Sequence, residues 1–585
     1  MTIVKICTGG QAMKALFTGN EAIARGAYEY GVAVATAYPG TPSTEILENI
    51  SKYKEIKAQW SPNEKVAMEV GAGASIAGAR TLVAMKHVGV NVAADPLFTM
   101  SYAGVQGGLV LVTADDPGMH SSQNEQDNRY YAMFSKIPML EPSDSQEAKD
   151  FVGHSLLLSE EFDVPVLLRI TTRIAHSKTI VYLNEPMERL VKPYTKDIQK
   201  NVMIPAHARQ KRLLLEDRYR RLQEYSEKTP LNRIEWQDKK VGVITSGISY
   251  QYVKEALPMA SVLKLGFTWP LPENLIRSLA QEVETLYVIE ENEPYLEEQI
   301  RALGLQVMGK ALFPITGELS AAVIRRALGT NAAATTRSAF QVPNRPPVLC
   351  PGCPHRAVFY VLKQLRLVVT GDIGCYTLGA LSPLDSMDTC ICMGASIPMA
   401  LGFEKAHPEL AEKTVAVIGD STFMHSGLTG LMDIVYNRGT STVIILDNST
   451  TAMTGHQEHP GTGKTLNGEF AAQVDIAALC RAIGVNRTYV IDPFDMDGLK
   501  ELILREVATR EPSVIVAKRP CALIVRAGES FTVDASKCVG CKMCTRIGCP
   551  AISFIAKKSQ INSSLCIGCG LCLGLCKFAA ITKEG

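Results

Sequence analysis

The sequence predicts an α/β protein: two large doubly wound parallel-sheet domains, a smaller α/β domain, and a compact cysteine-rich module at the C-terminus. Three observations lead there. Short apolar runs of buried-strand type alternate with helical patterns through most of the chain, as in parallel strands joined by crossover helices. The 585 residues are too many for one hydrophobic core. Eight of the 16 cysteines crowd into the last 48 residues, in two close-spaced runs.

Charge and hydropathy exclude several classes. Sixty basic and 59 acidic residues leave a net charge of +1, which argues against a nucleic-acid stripe or an acidic-lipid surface. No apolar run reaches transmembrane length. The N-terminus, MTIVKICTGGQAMK, lacks a basic region leading into a long apolar segment, so no secretory signal is expected and the cytoplasm is the expected compartment. There, clustered cysteines point to metal rather than disulfides.

Residues 1–190 read as the first large domain. Met13–Phe17 leads through Thr18-Gly19-Asn20 to a helix over Glu21–Tyr30. Val32–Ala37 is a buried-strand run that ends in Tyr38-Pro39-Gly40-Thr41-Pro42-Ser43, where Ser43 suits the N-cap of the next helix. The segment SPNEKVAMEVGAGASIAGAR predicts a close-packed, small-residue helix. Thr81–Met85, Gly108–Thr113 and Val164–Ile170 are further strands. Residues 191–238, centred on KRLLLEDRYRRLQEYSEK, read as a charged, solvated helical linker. Residues 239–335 form a smaller α/β unit with strands at Lys240–Thr245, Ala260–Leu265 and Thr285–Glu290 and no evident catalytic residue. Asn331–Pro347 reads as a linker.

Residues 348–525 make the second large domain, and the chain is organised around one stretch of it. Val415–Ile418 is a buried strand, Gly419-Asp420-Ser421 turn the chain, and a helix with Leu428, Leu431, Met432, Ile434 and Val435 on its apolar side stops at Asn437-Arg438-Gly439. A second strand, Thr442–Leu446, runs into Asp447-Asn448. Asp420 and Asn448 thus fall at the carboxyl edge of a parallel sheet, where ligands collect, and offer the hard oxygens Mg²⁺ prefers beside a diphosphate. Two ordinary turns of an α/β domain would read the same way.

Residues 528–585 carry C-x2-C-x2-C-x4-C-P and C-x2-C-x2-C-x3-C. Three thiolates this close wrap one corner of an iron–sulfur cube, and in two-cluster ferredoxins the fourth ligand comes from the other run. One [4Fe–4S] cluster is therefore assigned to Cys538, Cys541, Cys544 and Cys576, the other to Cys566, Cys569, Cys572 and Cys549. Zinc is the alternative, though zinc sites join spaced pairs rather than tight triplets. An extra residue before Cys549 and Lys577 in place of a proline are small departures from the pattern. Cys7, Cys390, Cys392 and Cys480 have no spacing partner and read as structural.

Several segments resemble known families. Gly419, Asp420 and Asn448 match the thiamine-diphosphate motif, Gly-Asp-Gly and later Asn, with Ser421 in place of the last glycine. The resemblance implies Mg²⁺ held by Asp420, Asn448 and the carbonyl of Thr450. TCICMGASIPMALGF resembles the cofactor-lining part of such domains, with Gly394 and Ala395 permitting close backbone approach. Cys350 and Cys353, Cys375 after a glycine, and the late Cys521 resemble the ligands of the thiamine-proximal cluster in pyruvate:ferredoxin oxidoreductases, which implies a third [4Fe–4S] cluster; buried small side chains would be the plain alternative. Glu64 matches the position of the glutamate that hydrogen-bonds the aminopyrimidine, although a surface glutamate at a helix start would look the same. Thr41 lies in a YPxTPS-like segment implied to hold the 2-oxoacid, or else in a plain turn and cap. His87, His456 and His459 fall near the implied site by motif order and read more simply as structural. Residues 239–335 resemble the transketolase C-terminal-type domain.

Taken whole, the chain resembles the large-subunit family of indolepyruvate:ferredoxin oxidoreductases. The resemblance implies oxidative decarboxylation of an aryl 2-oxoacid with coenzyme A and ferredoxin, to aryl-acetyl-CoA, CO₂ and reduced ferredoxin. It implies a smaller beta subunit as partner, an alpha2beta2 assembly in which the two thiamine domains meet at an interface, and an anaerobic source. No GxGxxG fingerprint follows a strand, in keeping with one-electron acceptors. The alternatives are a related oxidoreductase of other substrate range, a non-oxidative thiamine decarboxylase, and an electron-transfer scaffold on a degenerate thiamine fold. The tail cysteines oppose the decarboxylase; Glu64, Asp420 and Asn448 oppose the scaffold.

Overall fold

The computed structural model describes residues 13–330, 340, 343 and 346–583. Cys7 and most of the expected linker 331–347 lie outside them. The chain divides into two compact units, 1–338 and 339–585.

The first unit is built on a seven-stranded sheet. Its order is Phe267–Trp269, Met139–Leu140, Val166–Thr171, Leu109–Asp115, Thr81–Lys86, Val34–Ala37 and Lys57–Trp60. All pairs are parallel except the first. Every residue of Thr81–Lys86, Leu109–Asp115 and Val166–Thr171 is buried, as strands covered by helices on both faces must be. The first helix, Gly19–Glu29, starts two residues before its expected bound, because Thr18 and Glu21 form a reciprocal capping box. Ser43 does not cap its helix; its hydroxyl donates instead to the Gly40 carbonyl at 2.8 Å, closing the turn before it.

A second sheet joins Thr285–Val288, Asp238–Ser246 and Ala260–Leu265 in parallel, with Asn232–Glu235 antiparallel at one edge. This smaller sheet is tied to the larger one. The chain leaves Ala260–Leu265 through Gly266 and enters the seven-stranded sheet at Phe267. Buried charges complete the junction: Arg129 Nη1 donates to Glu290 at 2.6 Å, and Arg169 Nη2 donates to the Asn292 side-chain oxygen at 3.2 Å. The charged segment becomes the helix Pro205–Ser226, which is not wholly solvated. Leu215 and Leu222 are buried, and Arg218 donates to the Ser101 carbonyl at 2.7 Å.

The second unit holds a six-stranded, all-parallel sheet: Thr389–Cys390, Val368–Gly371, Thr414–Gly419, Thr442–Asp447, Ser513–Lys518 and Arg487–Ile491. Alternate residues of its central strands feed two cores. Val415, Val417, Ile444 and Leu446 face helices His355–Leu365 and Met496–Val507; Ala416, Ile418, Val443 and Ile445 face Ser396–Ala406, Leu428–Tyr436 and Ile476–Ile483. The tail folds on two short antiparallel pairs, Phe531–Val533 with Ile581–Lys583 and Ile552–Ile555 with Lys558–Ile561.

Candidate active site

The carboxyl edge of the six-stranded sheet gathers one group of predicted residues. Gly419 ends its strand in register with Leu446, so Asp420 and Asp447-Asn448 leave the sheet side by side. Asp420 is already helical: Asp420–Thr422 runs through a π turn, Phe423–Gly427, into Leu428–Tyr436. The Asp420 carboxylate accepts from the N–H of Ser421 at 2.8 Å and of Ser449 at 2.9 Å. One terminal atom of the Asn448 amide lies 3.2 Å from Asp420 Oδ1 and 2.8 Å from the Thr450 carbonyl oxygen. With nitrogen there, the amide donates to both. With oxygen there, three oxygens face one another and a cation satisfies them, a hard-oxygen set that fits Mg²⁺. Ser421 is accommodated because its hydroxyl accepts from Thr451 Oγ1 at 2.9 Å.

Neighbouring groups sharpen this edge. His459 Nε2 lies 3.2 Å from Asp420 Oδ2. The Gly461 N–H donates to His459 Nδ1, which leaves Nε2 as the protonated nitrogen. Burial, and then the Asp420 charge, push the Asp447 carboxyl up. Gly394 and Ala395 sit in a loop pinned by the buried Asp372, whose carboxylate accepts from Ile373, Gly394 and Ser396 at 2.8–2.9 Å. Gly394 has φ +88°, and a Cβ there would lie 2.5 Å from that of Ser426. This backbone therefore admits no side chain.

The cysteines converge in three sets. Cys350 and Cys353 share one turn, and Cys375 and Cys521 come from two others, yet Cys353 is within electrostatic reach of Cys350 and Cys375, and Cys375 within reach of Cys350 and Cys521. The Cys521 N–H donates to the Asn448 carbonyl at 2.9 Å, and His456 Nε2 stands 3.9 Å from Cys521 Sγ. Burial pushes the Cys353 thiol up to about 12 and the Cys375 thiol up to about 11. Both need a bound cation to become thiolates. In the tail, Cys538, Cys541, Cys544 and Cys576 line one cavity, while Cys549, Cys566, Cys569 and Cys572 line another. Each set takes its fourth cysteine from the other run, and both fit a cube. Among the described residues no three His, Cys, Asp or Glu side chains form a single-ion site. Cys480 is fully buried in a hydrophobic core, and Cys390 and Cys392 flank the pinned Gly394 loop.

In the first unit, Glu64 begins helix Glu64–Ile76, capped by Asn63. It is 6% exposed, so it is not the surface residue its position allowed. Gly89 makes room for it: a Cβ there would stand 2.7 Å from the Glu64 carboxylate. Thr41 lies in a turn held by Asn20, whose Nδ2 donates to the Pro42 carbonyl at 2.8 Å. Lys86 packs against Gly40 of this turn and donates to the Ser121 carbonyl at 2.5 Å. Burial pulls its ammonium down to about 8. His87 is fully buried with Nε2 3.2 Å from the Asn124 carbonyl, a structural placement.

The geometry has relatives. Residues 25–229 match the model of the pyruvate flavodoxin/ferredoxin oxidoreductase thiamine-diphosphate-binding domain. Residues 372–517 match the C-terminal thiamine-pyrophosphate-binding domain of thiamine enzymes, and 559–582 a 4Fe-4S binding domain. Indolepyruvate oxidoreductase subunit IorA of Archaeoglobus fulgidus is 41% identical, over 97% of both chains. The chain belongs to the indolepyruvate oxidoreductase IorA family. IorA of Methanothermobacter thermautotrophicus is 38% identical over the full length of both. A solved 2-oxoglutarate:ferredoxin oxidoreductase from Magnetococcus marinus aligns with a TM-score of 0.48 and 17% identity, over 54% of this chain and 65% of that one. As an IorA-family member the chain is an oxidoreductase of the 2-oxoacid:ferredoxin class, with thiamine-diphosphate-binding and 4Fe-4S-binding domains. Among the described residues no helix is long and apolar enough to cross a membrane. Two buried charged residues beside the candidate site have little signature in the sequence. Lys86, a cation closing an apolar strand, and Asp372, a lone acid between glycine-rich turns, carried only faint signals.

Proposed function

We propose that this chain is the large subunit of an enzyme that oxidatively decarboxylates aryl 2-oxoacids, indolepyruvate among them, with coenzyme A and ferredoxin, to aryl-acetyl-CoA, CO₂ and reduced ferredoxin. One observation carries the reading. The Cys521 N–H donates to the Asn448 carbonyl at 2.9 Å, so a cluster cysteine and a thiamine-site ligand are a single hydrogen bond apart. A non-oxidative decarboxylase has no use for that proximity.

When bound, thiamine diphosphate supplies the electron sink for decarboxylation and [4Fe–4S] clusters supply one-electron acceptors. The chain's residues prepare the site. Asp420, Asn448 and the Thr450 carbonyl hold Mg²⁺ and through it the diphosphate. Gly419 and Ser421 shape that turn, and Gly394 and Ala395 offer bare backbone to the cofactor. Glu64 holds a proton between its buried carboxyl and the aminopyrimidine nitrogen. Thr41 and the Lys86 ammonium bind the substrate carboxylate. Cys538, Cys541, Cys544 and Cys576 hold one cluster, Cys549, Cys566, Cys569 and Cys572 a second, and Cys350, Cys353, Cys375 and Cys521 a third.

The functional divisions proposed are 1–190 for the pyrimidine, 191–238 as connector, 239–335 as transketolase-like domain, 348–525 for the diphosphate and 528–585 for the tail clusters. A smaller beta subunit completes an alpha2beta2 enzyme in the cytoplasm of an anaerobe. The test is anaerobic purification with the smaller subunit, then iron, sulfide and thiamine analysis and a substrate panel. About twelve irons per chain are expected, with coenzyme A-dependent ferredoxin reduction fastest on aryl 2-oxoacids. About eight irons would remove the third cluster, and a preference for pyruvate or 2-oxoglutarate would overturn the substrate reading.

A further inference from the structure

Arg356, the second residue of the helix that follows Cys353, is 2% exposed and carries its charge into the second unit's interior. Its Nη1 donates to the carbonyls of Ile547, at 3.1 Å, and Gly548, just ahead of Cys549. Its Nη2 donates to the carbonyls of Leu349 and Cys350, the latter at 3.1 Å. The guanidinium thus ties the loop of one cysteine set to the loop of another. Its Nε–H is buried and has no acceptor. Arg356 also borders the cavity lined by Cys549, Cys566, Cys569 and Cys572. The loops are in contact as well: a Cβ on Gly352 would lie 2.2 Å from Ile567 and 3.3 Å from the Cys569 Cβ.

The charge balance completes the picture. Among the described residues Arg356 has no carboxylate partner, and the ionisable side chains nearest to it in electrostatic effect are the thiols of Cys549, Cys353, Cys350 and Cys569. A buried cation needs a counter-charge, and an orphaned donor needs an acceptor. A [4Fe–4S] cluster with four thiolates carries net negative charge and presents sulfur acceptors, and hydrogen bonds to those sulfurs set its potential.

We propose that Arg356 is a shared electrostatic clamp: its Nε–H donates to a sulfur of the cluster in the Cys549 cavity, and its charge raises the potentials of that cluster and of the one held by Cys350 and Cys353 together. This rests on the cluster reading above. The iron content of the unsubstituted complex tests that reading separately.

The experiment is an anaerobic redox titration followed by electron paramagnetic resonance, on the holoenzyme and on Arg356→Gln and Arg356→Lys. Loss of the cation disfavours the more negative reduced state. In Arg356→Gln the reduced-to-oxidised ratio of the two flanking clusters should fall about ten-fold at a fixed potential, about 59 mV each. The signal from the Cys538 set should stay in place, and Arg356→Lys, which keeps the charge but loses the Nε–H, should hold the potential of the Cys350 set and lower that of the Cys549 set only. If Arg356→Gln fails to load iron, Arg356→Lys carries the test alone. It keeps the charge but loses the planar fork, so it should load all clusters and shift the Cys549-set potential alone. Unchanged potentials in any fully loaded variant, or an equal shift of all clusters, would overturn the proposal.

Discussion

At the residue scale, the candidate site is built from buried polar groups. Glu64 has a carboxylate at 6% exposure, with Gly89 kept bare to seat it. Glu64→Gln keeps the shape and removes the acid, so kcat should fall by about 10²–10⁴ with thiamine affinity little changed; activity and binding measured on one preparation separate the two. Lys86 gives a pH prediction. Burial lowers its pKa to about 8, so it is mainly protonated at neutral pH and becomes neutral above that value. The KM for the 2-oxoacid should rise as pH climbs through about 8, and Lys86→Met should raise KM and flatten that profile. The same shift affects stability. Between about 8 and the ordinary value of 10.5 the unfolded chain holds a proton the folded one has released, so this group's contribution to stability grows as pH rises through that window.

At the scale of elements, the loops between strands do the gathering. Asp372 pins the Gly394 loop through three N–H groups. Gly394→Ala places a Cβ where Ser426 stands, at a φ favourable only to glycine. Thiamine affinity, read by titration calorimetry, should weaken by at least about 1–3 kcal/mol from strain of this kind. The loop cysteines make a sharper prediction. Cys353→Ser should cost about four irons per chain and leave both tail clusters spectroscopically intact. Loss of the tail signals in that variant would show that the sets do not load independently.

At the scale of the whole molecule, two α/β units carry different parts of one chemistry. Ligands that bind only the folded chain stabilise it by mass action. Thiamine diphosphate with Mg²⁺ at 100 times its Kd should add about 2.7 kcal/mol, visible as a rise in Tm, and Asp420→Ala should abolish that rise. The smaller sheet is no independent appendage of the first unit, because Phe267–Trp269 is an edge strand of the large sheet and Glu290 meets Arg129 in its interior. Charge substitutions at Arg129 should therefore unfold both sheets together.

Local chemistry made much of this legible in the sequence. Strands buried on both faces are continuous apolar runs, so Ala260–Leu265 was placed to the residue and most others to within two. Cysteine triplets state their own purpose, since close thiolates suit a cube. Other features are long-range and have no local signature. Ser43 looked like a cap, and only the fold shows its hydroxyl turned to Gly40. Glu64 could be surface or core by pattern alone. Lys86, Asp372 and Arg356 take their meaning from groups brought beside them by folding, and Arg356 reaches carbonyls 191 and 192 positions away in the chain. By itself the sequence determined the α/β class, the run of parallel strands and the close-spaced cysteine runs of the tail, because periodicity and spacing are local. Tertiary structure alone decided which oxygens face one another, which buried donor atoms lack an acceptor, and that Cys521 and Asn448 share a hydrogen bond, because burial and distance arise only when remote segments meet.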